Sequence, residues 1–164
     1  MIRVRQFIPN DFPVVQEIYQ QGINSGNATF ETQVKSWQQW HQAMLKPCRL
    51  IAEKEGEILG WAALSPISAR PVYGGVAEVS VYTAASARGQ GIGKQLMSQL
   101  ITSSEEHNIW TLQAAIFPEN KASIILHQKH GFNTLGVRKQ LGKLKGVWRD
   151  VVLMERRSTQ VGID

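Results

Sequence analysis

Arg88-Gly89-Gln90-Gly91-Ile92-Gly93 lies between the alternating run Val76–Tyr82 and a pattern carrying Ile92, Leu96, Leu100 and Ile101 at helical spacing. That order predicts a strand, a glycine-rich turn and a helix N-terminus. Glycine lets backbone approach a ligand closely, and the unpaired N–H groups of a first helical turn carry partial positive charge, so the natural occupant is a phosphate. Two familiar phosphate loops do not fit. A Walker A loop needs Gly-Lys-Ser/Thr, but Gly93-Lys94 is followed by Gln95. A dinucleotide fingerprint needs a third glycine in a different place and an acid at the end of the next strand, and Thr111–Phe117 carries none.

The pattern that fits is Arg/Gln-x-x-Gly-x-Gly/Ala, filled by Arg88, Gly91 and Gly93. It resembles the pyrophosphate loop of the GNAT acetyltransferase superfamily. A second segment, Asn120-Lys121-Ala122-Ser123 through Leu126-His127 to Gly131-Phe132, resembles the Asn-x-x-Ala/Ser…Leu-Tyr-x-x-x-Gly-Phe stretch of the same superfamily. Ala77–Tyr82 and Ala114-Ala115-Ile116 with Asn120 look closest to the phosphinothricin and methionine-sulfoximine N-acetyltransferases, and the likeness runs from Ile2 to about Glu155.

The resemblance implies acetyl-CoA as cofactor, held by Val81, Tyr82 and Thr83, by Arg88, Gly89, Gln90, Gly91, Ile92, Gly93 and Lys94, and by Asn120 and Ser123. Acetyl transfer to an amine requires a base, stabilisation of an oxyanion and a proton or hydrogen bond for the leaving thiolate. Glu78 is the candidate base, because a mid-strand carboxylate among apolar and small residues is costly unless it faces a wet cleft or a cation; a structural ion pair is the other reading. Backbone N–H groups between Val79 and Tyr82 are candidates for the oxyanion if a bulge frees one. His127 stands where many members of the superfamily carry an acidic tyrosine. It either protonates the thiolate, holds the sulfur by a hydrogen bond or simply packs, and Tyr82 is the rival donor. Asn120 reads both as a pantetheine ligand and as a helix cap.

For the acyl acceptor the resemblance directs attention to Thr29-Phe30-Glu31, Arg70-Pro71-Val72 with Tyr73, Glu78-Val79-Ser80 and Trp148. Arg70 is expected to clamp a carboxylate or phosphinate, or else to be an exposed loop residue. A small amino acid or analogue is the expected acceptor. Acetylation of protein N-termini or ribosomal proteins, and a non-catalytic acyl-CoA sensor, are the alternatives. The resemblance also implies a homodimer, with Trp148 and the last strand offering an apolar patch.

Those residues need a scaffold, and 164 residues with 43% hydrophobic composition suffice for one domain, expected over residues 1–157 with a tail at 158–164. The fold class expected is α/β (α+β): a mixed, mostly antiparallel twisted sheet, helices on both faces and a splayed cofactor cleft. Helices are expected after Pro9-Asn10-Asp11, around Val34–Met44, from Ile92 to about His107 and over Ala122–His130; strands at Ile2–Arg5, Arg49–Glu53, Ile58–Leu64, Val76–Tyr82, Thr111–Phe117, Phe132–Val137 and Val147–Met154. Cys48 is the lone cysteine and reads as a small apolar residue, which excludes an intrachain disulfide and a cysteine metal cluster. His127 and His130 lack further ligands at zinc spacing, so no metal is expected. A net charge of +5, from 18 basic and 13 acidic residues, comes without a nucleic-acid signature and suits attraction of a polyanionic cofactor. No apolar leader or span is evident, so the expectation is a cytoplasmic protein that engages neither membrane nor nucleic acid.

Overall fold

The computed structural model describes residues 1–164. Seven strands form a single sheet: β1 (Ile2–Gln6), β2 (Leu50–Lys54), β3 (Glu57–Pro66), β4 (Val76–Thr83), β5 (Thr111–Ile116), β6 (Asn133–Leu144) and β7 (Val147–Arg157), in the spatial order β1-β2-β3-β4-β5-β7-β6. Every pairing is antiparallel except β4 with β5. The helices are α1 (Phe12–Ser25), α2 (Trp37–Ala43), α3 (Ile92–Glu106) and α4 (Lys121–Lys129).

Alternation along β4 divides the molecule. Residues of one parity face α1 and α2: Tyr82 stacks on Trp61 at 5.0 Å and meets Tyr19 edge-on at 5.0 Å. A Cβ on Gly22 would come within 2.7 Å of the Tyr82 ring, so glycine is what lets α1 lie this close. The opposite face is covered by α3, whose Ile92 and Leu96 close over Gly60 of β3, and by Leu126 of α4, which reaches Gly93. Trp40, Trp61, Ile51, Leu64, Ile92, Leu96, Leu100 and Met154 are at most 2% exposed and form the centre of the two apolar layers. At the C-terminus, Arg157 donates to the carbonyls of Ser158, Val161 and Gly162, folding the last residues back beside Trp110.

Several boundaries differ from expectation for local reasons. Val34 lies outside α2, because Ser36 is its N-cap, with the Ser36 hydroxyl accepting from Gln39 N–H and the Gln39 side chain accepting from Ser36 N–H. β6 continues well beyond Val137. Its interruptions are register shifts at Thr134/Gly136 and Arg138/Gly142 that the hairpin absorbs before turning at Lys145-Gly146, both with positive φ. Cys48 precedes β2 in a left-handed conformation, accepts a hydrogen bond from Ser103 and has its thiol pushed up by burial.

Candidate active site

β4 follows β3 from Ala77 to Thr83 but pairs with β5 only at Val76, Ala77 and Glu78. Beyond Glu78 the two parallel strands part. The β3–β4 register runs from Pro66↔Ala77 to Gly60↔Thr83 without a shift, so the bulge considered for Val79–Tyr82 is not there. The splay frees backbone groups instead. Ala84 N–H donates to the Leu59 carbonyl at 2.8 Å, and antiparallel bonding repeats every second residue, so Tyr82 and Ser80 also point theirs at β3. Val79, Val81 and Thr83 therefore turn their N–H and C=O groups into the gap.

The gap opens into a cavity of about 930 Å³. Its floor at one end is the glycine turn. Gly89 (φ +78) and Gly91 (φ +82) are left-handed, a conformation that costs other residues about 1–2 kcal/mol, and Gly91 has no side chain to cap α3. The first-turn N–H groups of α3 are thus left for a ligand. Arg88, Gly89, Gly91, Ile92 and Gly93 line the cavity, as do Val81, Tyr82, Thr83, Asn120 and Ser123; Gln90 and Lys94 do not. Asn120 caps α4, its side-chain oxygen accepting from Ser123 N–H at 3.3 Å.

Glu78 lies where the splay begins, on the face of β4 that carries Tyr82. Gln113, its neighbour across the parallel pair, donates to the Glu78 carboxylate at 3.3 Å, and Glu78 has no cationic partner within ion-pair range. A half-buried carboxylate without a cation, open to the cavity, does not match the structural ion pair offered as the other reading. Tyr82 remains protonated: burial pushes its phenol well above the ordinary range, the nearby Tyr19 adds to the rise, and a hydrogen bond from Thr29 opposes it.

His127 is 4% exposed and packs edge-on against Phe132. Its Nδ1 lies 2.6 Å from the Ser123 carbonyl, which only accepts, so Nδ1 carries the proton. Nε2 is buried with no partner, and burial pushes the imidazole pKa down despite that backbone bond. A neutral ring with a bare Nε2 accepts a hydrogen bond rather than delivering a proton. Of the readings offered for His127, a packed ring that accepts a hydrogen bond fits this geometry better than a proton donor, and Tyr82, the rival donor, lines the same cavity with its phenol protonated.

On the acceptor side, Thr29, Phe30, Glu31, Glu78, Val79 and Ser80 all line the cavity. Arg70, Pro71, Val72 and Tyr73 do not: they form an exposed turn in which the Arg70 guanidinium sits over the Tyr73 ring at 5.4 Å. Trp148 is 53% exposed beneath Lys143 and is also outside. The cavity is completed by residues that carried no sequence signal for this role, among them Tyr19, Lys35, Met44 and Ser65. Arg149, one of the basic excess in sequence, proves to be an anchor. It donates to the Gly26 carbonyl at 2.9 Å and to the Asn27 side chain at 2.7 Å, and lies 4.1 Å over Phe117, which in turn meets Phe30. That places the segment bearing Thr29, Phe30 and Glu31.

Comparison with known proteins agrees with this geometry. The sequence pattern of the acetyltransferase (GNAT) family matches over residues 14–132. A phosphinothricin N-acetyltransferase of Alcaligenes faecalis is 34% identical, over 93% of this chain and 81% of its own. An L-methionine sulfoximine/L-methionine sulfone acetyltransferase of Pseudomonas paraeruginosa is 32% identical, over 88% of each chain. In three dimensions, a phosphinothricin acetyltransferase of Sinorhizobium meliloti, solved in complex with AcCoA, superposes with a TM-score of 0.90 at 28% identity, covering 99% of this chain and 91% of that one.

Proposed function

This chain belongs to the acetyltransferase (GNAT) family and is an acetyl-CoA-dependent N-acetyltransferase, and on that premise we propose that its acceptor is the primary amine of a small amino acid or analogue of the phosphinothricin or methionine-sulfoximine type. The observation that carries the reading is the double use of β4. Its Val79, Val81 and Thr83 backbone groups face the gap that a pantetheine arm and thioester would occupy, while Glu78 rises from one face of the same strand toward the acceptor side of the same cavity.

In the proposed reaction the ammonium of the acceptor loses a proton toward Glu78, directly or through water. The neutral nitrogen attacks the thioester carbonyl, forming the C–N bond as the oxyanion draws on an amide of the splayed strand, Val81 being the central one. Collapse breaks the C–S bond as the nitrogen releases its second proton to solvent, and the thiolate takes a proton from solvent or from the Tyr82 hydroxyl, which solvent then reprotonates. Arg88 and the first-turn amides of α3 would hold the phosphates and neutralise their charge. His127, neutral and buried, serves as a hydrogen-bond acceptor and shapes the wall. Asn120 and Ser123 hold the start of α4 beside the pantetheine path.

A dimer is part of the proposal, supported by the exposed apolar residues Leu135, Val137, Leu141, Val147 and Trp148 on the β6–β7 hairpin. Sedimentation should give twice 18.4 kDa at micromolar concentration; a mass of one chain removes this part alone.

The function is tested by acetyl-CoA-dependent thiol release with phosphinothricin, methionine sulfoximine, a peptide panel and aminoglycosides. Turnover of the two amino-acid analogues with saturation is expected. Turnover of peptides alone would overturn the acceptor reading and leave the donor untouched.

A further inference from the structure

On the acceptor side of the cavity stands a lysine placed by fold rather than by motif. Lys35 comes from the loop between α1 and α2, just before the Ser36 cap. Its ammonium is 5.4 Å from the centre of the Tyr19 ring, 3.5 Å from the Tyr19 hydroxyl and 3.7 Å from the Glu31 carboxylate. A committed charge-assisted hydrogen bond would be about 2.7–2.9 Å. The ammonium is thus steered by an aromatic face and a loosely placed carboxylate, with donors left over. The Lys35 side chain is 26% exposed and that of Glu31 is 54% exposed, so the cation is the more dehydrated of the two and gains more from a new anionic partner. Arg70, expected to clamp the acceptor, is exposed and outside the cavity.

Glu78 lines the same cavity. An acceptor whose amine sits beside Glu78 and whose adjacent carboxylate turns to Lys35 presents a cation to the acid and an anion to the lysine. A polyamine or aminoglycoside would put a second cation against the lysine.

We propose that Lys35 binds the carboxylate of the acceptor and so selects free amino acids over their neutral or cationic counterparts. This rests on the acceptor reading above. In the unliganded enzyme Glu31 holds the ammonium at the cavity wall; the incoming carboxylate takes its place. A lysine head is a point charge on a flexible stem and imposes no planar fork, so side groups of different shape on the acceptor are accommodated without losing this contact.

The test uses methionine sulfoximine, whose only full negative charge is its carboxylate, and its carboxamide, each with the wild-type enzyme, Lys35→Met and Lys35→Arg. Calorimetric acetyl-CoA affinity serves as the control for folding. For methionine sulfoximine, Lys35→Met is expected to raise KM about 10–100-fold, the range for losing a hydrogen bond to a charged group, and to leave kcat within about twofold. The KM of the carboxamide should not move, and Lys35→Arg should restore most of the loss. Comparing variants rather than substrates cancels the lower basicity of the carboxamide amine. If Lys35→Met leaves KM for the acid unchanged, or shifts acid and carboxamide equally, the inference is overturned while the acceptor reading stands. If the wild-type enzyme acetylates neither compound yet binds acetyl-CoA, both fall together.

Discussion

The proposed donor end and acceptor end of the cavity share β4 but are built from different material. The donor end is backbone: amides of Val79, Val81 and Thr83 at the splay, and the first turn of α3 behind two left-handed glycines. The acceptor end is side chain: Tyr19 from α1, Lys35 from the loop, Ser65 from β3 and Glu78 from β4, with Arg149 of β7 tying the loop down. Backbone geometry needs only that a few positions be small and correctly wound, so it tolerates wide change in sequence. A wall of side chains is re-specified by each substitution, so acceptor preference is free to diverge on a constant donor site.

That contrast can be broken in graded steps. The largest effect is expected from Glu78→Gln, at the seam of the two halves: kcat should fall roughly 100- to 10,000-fold with acetyl-CoA affinity intact. A loss confined to donor binding would place Glu78 in the wrong half. Next is Gly91→Asp, which sets a carboxylate where phosphate belongs and should weaken acetyl-CoA binding about 100-fold or more by calorimetry. Gly91→Asn, which tolerates φ +82 without charge, should lose far less. Equal losses would mean that winding alone matters. Arg149→Met should raise acceptor KM by roughly 5- to 20-fold through the released Gly26-Asn27 loop, again with unchanged donor affinity; an altered acetyl-CoA affinity would show the halves to be mechanically coupled.

His127 supplies a smaller effect, read as stability against pH. Its folded pKa lies below the ordinary 6.5 because burial disfavours the imidazolium. The unfolded chain therefore binds the proton first, and the contribution is present above about pH 6.5 and lost as pH falls through that value toward the lower folded pKa. His127→Gln should flatten that part of a melting-temperature profile; an unchanged acid limb would show that another group is responsible. Smallest of all is Arg70→Ala, expected to shift acceptor KM within about twofold, as for an exposed residue outside the cavity. A tenfold rise would return the clamp to Arg70.

The same contrast explains what was legible. Arg88, Gly91 and Gly93 announce themselves because a phosphate turn needs particular residue types at fixed local spacing, and Glu78 stands out as a carboxylate in an apolar strand. The order of strands followed from alternation and turns. The route of Lys35 into the cavity depends on how α1 packs on Tyr82 and where Ser36 starts α2, which no local pattern encodes. His127 was visible as a residue, but its charge state was not, since burial and the Ser123 carbonyl decide it. Arg70 stands in the opposite case: its chemistry suits a clamp, yet its turn lies outside the cavity.

The parting of β4 from β5 has a consequence for the energetics of the whole chain. With no cofactor, half a hydrogen-bonding ladder beside Val79, Val81 and Thr83 is satisfied only by water, and those amide protons should exchange with solvent quickly. A pantetheine arm laid along the edge would act as the absent strand, slowing that exchange and binding the native state but not the unfolded one. At free acetyl-CoA a hundredfold above its Kd, the added stability is about 2.7 kcal/mol. The enzyme's lifetime against heat and proteolysis is therefore indexed to the concentration of its own acyl donor.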